Sequence, residues 1–172
     1  MVNNPTLKAA ATTAVFSLVG MWTLLYRAPQ TQELLPHVIF YIVLVVNTFL
    51  SVRFYSPIQP KNVSQAAIDA ILFITYLALA LSIGRPVAFA FAALCLFIEA
   101  PVKYALMLGI IPHDALLKRK IFIDGQGTVL CAAVLAATLG GYELAGAWAL
   151  AVLFTLANIY LLLIRPMYRL NS

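Results

Sequence analysis

The sequence predicts an all-α fold, a bundle of six transmembrane helices, and three observations carry that prediction. Of 172 residues, 63% are hydrophobic and 10% are charged, against about 25% charged in an ordinary soluble domain. The apolar residues gather into runs that approach the ~20 residues a helix needs to cross a bilayer. Every proline but Pro101 sits at or near the end of a run, where a helix tolerates it, and Gly84, Gly140 and Gly141 mark two further turns. The mean hydropathy of +0.96 excludes a water-soluble globular protein. It also excludes a disordered chain, which needs low hydrophobicity and high net charge. The runs lack the alternation of barrel strands, so helices fit them. One integral membrane domain covering residues 1–172 is expected.

The first run, Leu7 to Tyr26, lies between Pro5 and Pro29. It is long for a signal peptide, and Tyr26-Arg27-Ala28-Pro29 is a poor cleavage site, so it reads as a retained helix. The second run, His37 to Tyr55, lies between Pro36 and Pro57. The third, Ala66 to Ile83, begins after Pro60 and stops at Gly84. The fourth, Pro86 to Ile111, opens on a proline at a favoured position and ends at Pro112. It contains Pro101, whose missing N–H and bulky ring predict a kink. The fifth, Ile121 to Leu139, closes on Gly140 and Gly141. The sixth, Ala145 to Ile164, ends before Pro166. Short connections make sequential helices antiparallel neighbours.

Basic residues set the expected orientation. Lys8, Arg53, Lys61, Lys118, Arg119, Lys120, Arg165 and Arg169 fall on one side, and Arg27 and Arg85 on the other. Both termini are therefore expected in the cytoplasm, in a multi-pass protein of the cell membrane. Lys103 is left out of that count because its depth is ambiguous. The net charge of +5 is scattered and forms no patch for nucleic acid. Trp22, Tyr26, Tyr41, Tyr55, Tyr142 and Tyr168 read as interfacial anchors.

Charge in a bilayer costs at least ~2.5–3.5 kcal/mol near the centre. Polar residues that stay there are the default site candidates: Asn47, Asp69, Glu99, Lys103, Asp124, Gln126 and Asn158. Glu99 and Lys103 stand four apart with the acid first, the favoured order for an intrahelical pair. That pair is a structural bridge, or Pro101 between the two opens a polar cavity in which Glu99 carries a proton. Asp69 and Asp124 lie near helix starts, where the dipole stabilises a carboxylate. The run Asp124-Gly125-Gln126-Gly127-Thr128 also suits a broken helix of the kind that binds ions and small solutes. Its glycines equally suit close helix packing.

Ala132, Ala133, Ala136, Ala137, Gly140 and Gly141 predict that the fifth helix packs through a seam of small residues. Ala10 and Ala14 form a similar pair in the first helix. The same chain size and six spans occur in the substrate-binding subunits of energy-coupling-factor importers, whose first helix carries a small-residue docking stripe, and no family membership follows from that. This is a likeness of size and one common pattern. Asp69 with Asp124, and Asn47 with Asn158, hint at a repeated hairpin.

Cys95 and Cys131 read as small buried hydrophobes. His37 and His113 are the two histidines of the chain, so a three-histidine metal site is impossible, and their expected placement at opposite faces argues against a bis-histidine haem. No cofactor or metal is expected, and no nucleophile elbow marks a serine hydrolase. Three functions remain. The first is a protein that binds or transports a small solute, ion or proton in the cytoplasmic half of the bundle. The second is a non-catalytic subunit of a membrane complex or homo-oligomer. The third is an intramembrane enzyme on a lipid-soluble substrate, with Glu99 or Asp124 as acid or base.

Overall fold

The computed structural model describes residues 4–26, 31–111 and 114–164, and its regular elements are all helices. They are α1 (Pro5–Tyr26), α2 (Leu34–Tyr55), α3 (Val63–Leu81), α4 (Pro86–Leu108), α5 (Ala115–Leu139) and α6 (Glu143–Ile159). A π-helical turn, Tyr160–Ile164, prolongs α6. With that turn counted in α6, all six are long and apolar enough to cross a membrane. The chain has the architecture of a small multi-pass membrane protein. Arg27, Pro29, Pro112, His113, Arg165, Pro166, Tyr168 and Arg169 lie outside the described residues.

Local chemistry fixes the helix starts. Asn4 accepts the amides of Thr6 and Leu7 ahead of Pro5. Asn62 accepts the amide of Gln65, and Asp114 accepts those of Leu116 and Leu117. Such caps satisfy amides that have no partner within the helix. The Asp114 cap starts α5 six residues before the expected Ile121, so the basic run Lys118–Lys120 is helix and not loop.

The helices close into a ring. Going round, α1 lies beside α2, α2 beside α6, α6 beside α5, α5 beside α4, α4 beside α3, and α3 beside α1. Four of the five sequential pairs are thus neighbours. The exception is α2 and α3, whose connection, residues 56–62, spans a gap instead of a tight turn. They face each other across that gap, bridged by Thr48 and Tyr76. The gap becomes the main cavity.

The centre is aromatic, with Phe40, Phe89, Phe97 and Phe154 packed ring on ring. Large apolar side chains such as Leu18, Ile74, Phe122, Val129 and Leu163 point outward, as lipid contact requires. At the α1–α2 contact, Gly20 makes room for Tyr41. A Cβ there would stand 2.6 Å from the tyrosine ring. The Tyr41 hydroxyl donates to the Phe16 carbonyl at 2.9 Å.

Helix α5 corrects two expectations. It runs unbroken through Asp124–Thr128, so no unwound segment exists there. The glycines serve packing instead: a Cβ on Gly127 would lie 2.3 Å from the Phe97 ring of α4, while Gly125 faces open space. The expected seam of small residues is not the one used. Ala132, Ala133 and Ala136 are exposed, and the buried stripe is Cys131, Val134 and Thr138. The cause is angular. Asp124, Cys131, Val134 and Thr138 share one face, and once that face turns inward the alanines turn out. Ala10 and Ala14 of α1 are exposed as well.

Candidate solute cavity

Two cavities lie in the half of the bundle that carries the N-terminal end of α1. The larger, of about 250 Å³, is walled by α1 to α5. The smaller, of about 160 Å³, lies between α2, α4, α5 and α6. Asn47, Phe97, Lys120 and Asp124 line both, and so form the partition. An open vestibule of about 900 Å³ beside the α2–α3 connection shares Lys8, Ser56, Gln59 and Asp69 with the larger cavity.

The charged lining of the larger cavity is arranged in pairs. Lys103 Nζ lies 2.7 Å from Asp69 Oδ1, joining α4 to α3. The Gln59 amide donates to the other Asp69 oxygen at 2.7 Å. Lys120 Nζ lies 2.6 Å from Asp124 Oδ1, four residues on along α5. These two side chains are 7% and 5% exposed. The ammonium of Lys120 also sits 5.5 Å from the centre of the Tyr104 ring, within reach of a cation–π attraction. Asp124 Oδ2 is buried and has no hydrogen-bond partner. Lys8 stands exposed at the rim.

Hydroxyls and rings fill the rest of the wall. Ser51 and Tyr104 share a hydrogen bond of 2.7 Å, and Thr48 both pairs with Tyr76 and donates to the Leu44 carbonyl. Deeper in, Phe16, Leu44, Leu72, Phe73, Leu96 and Phe97 make an apolar floor.

The expected pair of Glu99 with Lys103 is not formed. Glu99 Oε1 accepts from Thr75 at 2.8 Å, between α3 and α4, and its Oε2 is buried without a partner. The reason is hydration. Asp69 is 34% exposed and borders the vestibule, so the Lys103–Asp69 pair keeps part of its water. Bonding Glu99, four residues deeper on α4, would draw the ammonium further into hydrocarbon. Glu99 lines neither cavity.

Of the other expected residues, Asn47, Asp69, Lys103 and Asp124 meet at the larger cavity. Asn47, Asp124, Gln126 and Asn158 meet at the smaller one. Asn158 also donates to the Phe154 carbonyl at 2.9 Å. The hint of a repeated hairpin does not extend to the pairing, because Asp69 binds across helices and Asp124 along its own.

Sequence reasoning missed Lys8, Ser51, Gln59, Tyr76, Tyr104 and Lys120. Lys120 was legible, since it stands four residues before Asp124. It was counted as a loop charge, and its base-first order is the weaker one for a helical pair. The others become site residues through tertiary packing alone.

His37 is buried near the opposite face, where its Nδ1 accepts the Gly84 amide at 3.2 Å and its ring stacks on Phe89. Gly84 has a φ of 80°, which suits glycine. His37 therefore pins the α3–α4 turn. Among the described residues, no three His, Cys, Asp or Glu side chains cluster as metal ligands. Cys95 and Cys131 are free thiols. No family model, no curated protein and no solved structure matches the chain.

Proposed function

We propose that this protein binds a small solute inside the bilayer, in the cavity between α1 and α5, as a transporter or a solute-binding membrane protein. One observation carries the reading. A cavity of about 250 Å³ is walled by five helices, shares lining residues with an open vestibule and holds two lysine–aspartate pairs. A pure packing core would be close-packed and apolar. Basic residues support an orientation with the vestibule toward the cytoplasm of the cell membrane. Moving Lys120 from loop to cavity wall leaves seven against two, with the same sign.

The exposed small residues on α1 and α5 favour a second reading, a subunit of a larger membrane complex or a homo-oligomer. One experiment separates the two. Protein purified in mild detergent is extracted and its small molecules are identified by mass spectrometry, beside an Ala100→Phe variant that fills the cavity. A solute enriched in the wild type and lost from the folded variant is the expected result. Identical extracts, with a stoichiometric protein partner in both preparations, would overturn solute binding in favour of the subunit.

A further inference from the structure

We infer that the larger cavity takes a compact, uncharged aromatic or heteroaromatic solute bearing an N–H or O–H donor, and that Asp124 Oδ2 accepts that donor. This rests on the solute-binding reading above and narrows it.

Charge balance comes first. Lys103 is matched by Asp69 and Lys120 by Asp124, each at hydrogen-bonding distance. Lys8 is the remaining charge on the lining, and it stands exposed at the rim. A charged solute would therefore enter a matched wall and remain uncompensated in a low-dielectric slab. An uncharged one leaves both pairs intact.

Shape and surface come next. The lining carries the rings of Phe16, Tyr55, Phe73, Tyr76, Phe97 and Tyr104. Such rings favour offset or edge packing against another ring. An apolar cavity of ~150 Å³ can hold benzene, so about 250 Å³ has room for a two-ring body.

The donor requirement follows from hydrogen-bond accounting. Buried polar atoms are nearly always partnered. Ser51 is paired with Tyr104 and Thr48 with Tyr76, so these hydroxyls already have partners. Asp124 Oδ2 is different. Its side chain is about nineteen-twentieths buried and is among those that line the cavity, and Oδ2 itself receives no donor from the protein. Because a carboxylate oxygen only accepts, its complement on a solute is an N–H or O–H.

The test uses the full-length protein in detergent micelles and calorimetric titration with indole, N-methylindole and tryptamine. These share one body, while the second lacks the ring donor and the third adds a cation. Indole is expected to bind about ten-fold or more tightly than N-methylindole, the size of one hydrogen bond to a charged group. The preference is expected to vanish in the double variant Lys120→Met, Asp124→Leu, which removes the pair without stranding either charge. Equal binding of indole and N-methylindole by the wild type, which needs no variant to fold, would overturn the role of Asp124. Tighter binding of tryptamine than indole would overturn the uncharged class. If neither indole binds while a solute is still extracted from wild type and lost from Ala100→Phe, the chemical class falls and the cavity reading stands. If no solute is extracted either, both fall.

Discussion

Pro101 has no N–H to give the carbonyl of Phe97, the acceptor one turn earlier in α4. The hydroxyl of Thr128, on α5, donates to that carbonyl instead. Thr128→Val keeps the shape of the side chain and removes the donor. The Phe97 carbonyl then has no replacement, because the site lies in the packed α4–α5 contact and Phe97 is 8% exposed. Interhelical hydrogen bonds in membranes average ~0.6 kcal/mol and reach ~1.7. Stranding a buried acceptor costs ~1–3 kcal/mol. The substitution should therefore cost about 1.5 kcal/mol, at the overlap of those ranges. Thr128 also reaches the Asp124 carbonyl at 3.2 Å. That acceptor keeps its ordinary backbone donor in the helix, so its loss adds little. The distinguishing perturbation is Pro101→Ala, which restores an N–H aimed at Phe97. In that background Thr128→Val should cost about 0.5 kcal/mol, a coupling of about 1 kcal/mol between neighbouring residues. Reversible unfolding in mixed micelles, followed by circular dichroism, measures all four proteins. Equal costs of Thr128→Val in both backgrounds would refute the idea that the threonine compensates for the proline.

Three further substitutions test the packing of α5. Gly127→Ala forces a Cβ into the Phe97 ring and should destabilise the bundle by ~1–3 kcal/mol. Gly125→Ala meets nothing within 4 Å and should be neutral or stabilising. Unfolding midpoints that move together would show that the two glycines are not on opposite sides of the contact. Ala136→Leu adds bulk to an exposed position and should change stability by less than ~0.5 kcal/mol in detergent. A larger loss would mean that another protein surface covers this face of α5.

The six helices were legible because apolar run length and proline placement are local signals. Each of the expected runs contains most of an observed helix. The α5 start was missed because Lys118–Lys120 resembles a loop, while the Asp114 cap makes it a first turn. The candidate residues were legible as polar groups in apolar runs. Their partners were not. Helical spacing pairs Glu99 with Lys103, yet the bundle gives Lys103 to Asp69, 34 positions away, across two antiparallel helices. The face of α5 was misjudged for a related reason. Small residues mark a helix that can be approached closely, but they do not say which side the bundle uses. The buried Asp124 settles that side, because a carboxylate is more costly in lipid than an alanine.

The two ion pairs differ in what explains them. Asp69–Lys103 borders the vestibule, ties α3 to α4, and keeps part of its hydration, so a structural role accounts for it. The Lys120–Asp124 bridge lies within α5 and is almost wholly buried, and Lys120 also sits over the Tyr104 ring of α4. Desolvating two such charges costs several kcal/mol per ion, and well-packed apolar residues in their place are often neutral or stabilising. The ion pair itself joins no two helices, and stability does not account for it. Its position does more. It stands in the partition between the two cavities, with Asn47 and Phe97 beside it and one carboxylate oxygen left over. A group that is costly to bury and incompletely bonded fits a wall that awaits a ligand better than it fits a packing core. That difference makes Asp124, and not Glu99, the residue around which the candidate site is built.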